Sequence, residues 1–64
     1  MVEDRAEVHQ ATGMISVQAG IDMAESLVRL RARAYATERP ILEVARDVLD
    51  GEVEFSDAYD DKAR

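Results

Sequence analysis

Arg31 and Tyr35 stand four residues apart, Arg39 follows four further on, and Arg29 and Arg33 lie between and beside them. On a helix, positions four apart share one line along the surface. Guanidinium groups contact phosphate in a bidentate manner and stack on bases, and a phenol ring stacks as well. Such a set suits unpaired RNA, whose splayed bases offer flat faces while its phosphates take the charge. A second reading is open on the residues alone. Tyr35 could border a core, with the stem of Arg31 lying across it and the arginine heads in water.

No other constellation carries chemistry. Gly13, Gly20 and Gly51 do not cluster, so there is no phosphate-binding loop. His9 and Ser16 share a helix face but lie about two turns apart, too far for a nucleophile and its base. The chain has no cysteine, which excludes disulfides and zinc–thiolate sites, and His9 is its only histidine. The acid pairs Glu52/Glu54 and Asp60-Asp61 read as solvated charges. The expectation is a non-enzyme without cofactor or metal. The opening Met1-Val2-Glu3-Asp4-Arg5 is acidic with no apolar run behind it, and no stretch approaches the ~20 apolar residues of a membrane helix. A cytoplasmic protein with no membrane partner is expected.

Charge is distributed in blocks. The net charge is −6, yet residues 26–46 hold five arginines against Glu38 and Glu43, between two acidic ends. At 64 residues the chain makes one domain with a thin margin of stability. Without disulfide or metal, a partner subunit is the expected staple.

Three helices must position these residues, so the fold class is all-α. The first runs from about Val2 to Ala19 and ends at Gly20, suited to a left-handed cap. Its apolar residues form two stripes: Val8, Ala11, Ile15 and Ala19 on one side, and Val2, Ala6, Gly13 and Val17 roughly opposite, with Met14 at the edge. One stripe is expected inward and the other against a second chain, although small residues at a surface are also common. Gly13 costs a helix ~0.5–1 kcal/mol against alanine, which suggests close approach of another helix or of a nucleic-acid backbone. The sequence does not choose between them.

Asp22-Met23-Ala24-Glu25 has the spacing of a capping box and opens the second helix. Met23, Leu27, Leu30 and Ala34 form its apolar stripe, and it runs to about Thr37. Arg29 and Arg33 fall on the opposite face. Pro40 starts the third helix. Ile41, Val44, Ala45, Val48 and Leu49 form its inner face, opposite Glu43, Arg46, Asp47 and Asp50, and Gly51 closes it. Val53 and Phe55 are expected to fold back onto the bundle. The domain is therefore placed at residues 1–55, with residues 56–64 as an acidic, disordered tail.

Several of these residues fall in a known pattern. His9-Gln10-Ala11-Thr12-Gly13-Met14 and Gln18-Ala19-Gly20-Ile21 resemble the first-helix signature of the ANTAR family. Leu27, Leu30-Arg31-Ala32, Ala34-Tyr35, Arg39-Pro40 and Val44-Ala45-Arg46-Asp47-Val48 resemble its second and third helices. The likeness covers about residues 8–55 without a gap, and its flavour is that of actinobacterial proteins in which the domain follows a sensory GAF domain. The resemblance implies a three-helix module that binds RNA stem-loops with open loops in leader transcripts. Binding prevents a terminator from forming. It also implies a homodimer through the first helix, under a possible upstream sensor domain outside this chain. Arg31, Tyr35 and Arg39 are then expected to face RNA, with Gln10, Thr12 and Gly13 letting its backbone approach. Two residues depart from the pattern: Thr12 stands where many relatives carry lysine, and Ser26 where alanine is usual. The competing class is a helical dimerisation or protein-interaction module without nucleic-acid binding. A DNA-reading helix-turn-helix ranks below both, because the third helix is rich in acids.

Overall fold

In the computed structural model, which describes residues 2–55, three helices follow one another: α1 (Val2–Ala19), α2 (Met23–Thr37) and α3 (Ile41–Leu49). The Asp22 side chain accepts a hydrogen bond from the Glu25 N–H at 2.8 Å, so α2 begins where the capping sequence places it. Glu25 does not reach back to complete a box. Its carboxylate turns along the helix to Arg29 instead. Pro40 is the cap residue of α3, with extended backbone, just before the first helical turn.

All three helices end in the left-handed conformation. Gly20 (φ 69°) and Gly51 (φ 81°) do so as their positions predict. Glu38 (φ 56°) ends α2 in the same way. There the Arg39 N–H donates to the Ala34 carbonyl at 3.0 Å and the Glu38 N–H to that of Tyr35 at 3.2 Å. This pair of bonds satisfies carbonyls that the helix would otherwise leave open.

The core is small and aliphatic. Ala11 and Ile15 from α1, Leu30 and Ala34 from α2, and Val44, Ala45 and Val48 from α3 are all buried. Of the two stripes on α1, the one through Ala11 and Ile15 therefore faces inward. The other looks out, with Val17 left 83% exposed and Ala6 also exposed, while Met14 at its edge packs against the core. α3 lies chiefly against α1 and less against α2. Glu7 and Arg46 tie α1 to α3 through a 3.0 Å ion pair.

Two polar side chains sit inside. Thr12 donates its hydroxyl to the Val8 carbonyl at 2.7 Å, and Ser26 donates to that of Asp22 at 2.7 Å. Each hydroxyl is satisfied by its own helix, so burial leaves neither of them without a partner. The chain after α3 does fold back: Phe55 is buried, its N–H donates to the Gln18 side-chain oxygen at 2.9 Å, and Val53 packs beside the core. The expected acidic tail, residues 56–64, lies outside the described residues.

Candidate nucleic-acid interface

The helical period of α2 separates its arginines. Ser26, Leu30 and Ala34 take the inner face, which turns Arg31 and Tyr35 to the outside along one line. Tyr35 keeps 88% of its surface exposed, so it is no rim-of-core tyrosine. Arg31 is exposed and forms no ion pair among the described residues.

The remaining arginines of the basic middle are differently engaged. Arg29 pairs with Glu25 at 3.4 Å, and Arg46 with Glu7. Arg33 stands over the ring of Phe55. Arg39 bridges Asp47 at 2.7 Å and Glu43 at 3.3 Å. The bond to Asp47, with that to Glu43 behind it, raises its pKa above the ordinary arginine value and holds the guanidinium charged. The block of positive charge read along the sequence is therefore not one basic face. Acids from both flanking blocks fold onto it. The pairs Glu25–Arg29 and Arg39–Glu43 were legible as i, i+4 spacings; Glu7–Arg46 and Arg39–Asp47 depend on tertiary packing and helix entry.

On α1 the expected patch of Gln10, Thr12 and Gly13 divides. Gln10 is exposed, Gly13 half-buried and Thr12 only 4% exposed. At about 100° per residue, Gln10 and Thr12 point roughly 160° apart, so they do not share a surface. Thr12 is the buried one of the three. Its hydroxyl bond to Val8 lets it sit inside the bundle, where it offers little to a ligand backbone. It does lie at the floor of the same groove that Arg31 lines, whereas Tyr35 and Arg39 border a separate shallow hollow at the end of α2. A Cβ built on Gly13 meets no neighbouring atom within 4 Å. Nothing within the described fold therefore demands a glycine there.

The chain is a small three-helix bundle with Arg31 and Tyr35 exposed on one line of its second helix. The ANTAR domain family matches residues 1–49, and the chain belongs to it. No curated protein and no solved structure matches the chain. ANTAR domains are RNA-binding modules of transcription antitermination regulators, a regulatory family and not an enzyme family. Among the described residues, no helix is long and apolar enough to cross a membrane.

Proposed function

We propose that this chain grips the open loops of RNA stem-loops in leader transcripts through Arg31 and Tyr35, and so keeps a terminator hairpin from forming. The observation that carries this reading is the 88% exposure of Tyr35 on the same helix line as Arg31. A large aromatic left in water serves no purpose in the core, and beside a cation without an ion pair among the described residues it makes a stacking platform for unpaired bases. Arg39 borders the same end of α2, but Asp47 and Glu43 already hold its charge, so its share is smaller. Gln10 is a peripheral contact. Gly13 belongs instead to the outward stripe of α1 with Ala6 and Val17, through which two copies associate, so that a dimer presents two RNA-binding faces. Action on nascent transcripts places the protein in the cytoplasm.

The exposed stripe of α1 equally favours the second reading, a helical interaction module that binds only protein. Salt separates the two. RNA affinity should fall with salt on a log–log plot by ~0.7–0.9 for each phosphate contacted. Hairpin binding that is absent, or indifferent to salt, would favour the protein-only module.

A further inference from the structure

Away from Tyr35, the first turns of α1 and α2 leave an open groove between them with a volume of about 900 Å3. Val8 and Ala6 line it from α1, Met23, Ala24 and Leu27 from α2, and Ile41 from the start of α3. Met23 is 39% exposed, and Leu27 and Ile41 are half-buried, so aliphatic surface stands open to water. The polar part of the lining is Arg5, His9, Arg31 and the buried Thr12, without an acid. Arg5 and Arg31 make no ion pair among the described residues, while Arg29, Arg39 and Arg46 each do. In a chain of net charge −6, the groove lining among the described residues is thus basic.

We propose that this groove docks an amphipathic helix of another protein, one whose apolar stripe is bordered by acidic residues. A trough between two helices, floored by aliphatic side chains, accepts anchors spaced i, i+3 and i+4 on a partner helix. Arg5 on α1 and Arg31 on α2 stand to meet acids bordering the inserted stripe. Opposite charge there sets register and orientation and rejects helices with basic flanks. RNA fits this floor poorly, because its aliphatic side chains give bases no flat face; the groups able to stack, His9, Arg5 and Arg31, belong to the polar part of the lining. The docking shares Arg31 with the RNA reading but not Tyr35, and it is measured without RNA.

The test titrates the full chain into a labelled synthetic helix with leucines at i, i+3, i+4 and i+7 and glutamates at the flanking positions. A second helix carries lysines in place of the glutamates. Saturable binding of the glutamate helix is expected, with the lysine helix weaker by roughly ten-fold or more. Ala24→Trp fills the floor from an exposed position, and Met23→Glu puts an acid into it. Each should weaken binding by roughly ten-fold or more while circular dichroism shows helix content unchanged. Met23→Glu keeps the test open if the tryptophan disturbs the fold. Failure of the glutamate helix to bind, or binding indifferent to both substitutions, overturns the proposal. So does loss of hairpin RNA binding in Ala24→Trp when the glutamate helix does not bind, which would assign the groove to RNA.

Discussion

The guanidinium carbon of Arg33 lies 5.0 Å from the centre of the Phe55 ring, clasping the segment after α3 to the outer side of α2. Phe55 is the only phenylalanine in the chain, and its backbone is tied to Gln18 of α1. Phe55, which lies beyond the matched residues 1–49, thus touches two helices and closes the core from outside.

Replacing Phe55 by alanine should therefore cost about 3 kcal/mol, the low end for a buried phenylalanine because the site lies at the core's edge. Phe55→Leu keeps apolar volume but loses the ring face beneath Arg33, and about 1 kcal/mol is expected. Urea denaturation followed by circular dichroism measures both. If the folded unit ends at residue 55 as proposed, a chain stopped after Ser56 should melt within a few degrees of the parent. A Phe55→Ala chain as stable as the parent would show that the clasp is ornamental.

Glu38 occupies the left-handed end of α2, where a side chain is disfavoured by roughly 1–2 kcal/mol. Glycine relieves that strain but gains freedom in the unfolded chain, so Glu38→Gly should stabilise by about 0.5–1 kcal/mol. Glu38→Val should destabilise, since a branched side chain tolerates positive φ least. Thermal melts of the three chains should rank glycine, glutamate, valine. Any other order would mean that the end of α2 is held by something other than its backbone geometry.

Gly13 offers a substitution whose two effects run in opposite directions. Space is open around an added Cβ, so Gly13→Ala should raise stability by about 0.5–1 kcal/mol through helix propensity alone. If a second copy packs against this stripe, the same methyl group, and more so the side chain of Gly13→Leu, should weaken association. Sedimentation at several concentrations, alongside denaturation, reads both effects. A parent that stays monomeric throughout the micromolar range would remove the dimer from the account.

Much of the fold was legible because its signals are local or periodic. Asp22, Gly20 and Gly51 mark helix ends by chemistry that acts within a few residues, and the inner face of α3 follows from the spacing of Val44, Ala45 and Val48. Glu38 was not legible. Glutamate has no preference for the left-handed region, and the bonds to Ala34 and Tyr35 impose it there. The burial of Thr12 was not legible for a related reason: a hydroxyl able to bond its own helix can be buried, and residue type alone does not show it. For the candidate site, the line of Arg31 and Tyr35 was legible from spacing. Which arginines pair with acids among the described residues was not, because Glu7 and Asp47 reach their partners only in the folded bundle.

Contact of Arg31 and Tyr35 with unpaired bases is tested most directly by binding hairpin and fully paired RNA to the same folded variants. Tyr35 is so exposed that Tyr35→Ala should leave the melt nearly unchanged, which circular dichroism on the binding samples verifies. A base stacked on one such side chain is worth roughly 1–3 kcal/mol. Arg31→Ala and Tyr35→Ala should each weaken hairpin binding by roughly five-fold or more while hardly changing duplex binding. Replacing Arg29 and Arg33 should instead weaken both RNAs about equally and reduce the salt slope. Should Arg31→Ala and Tyr35→Ala stay folded and bind both RNAs like the parent, the RNA-facing assignment is contradicted.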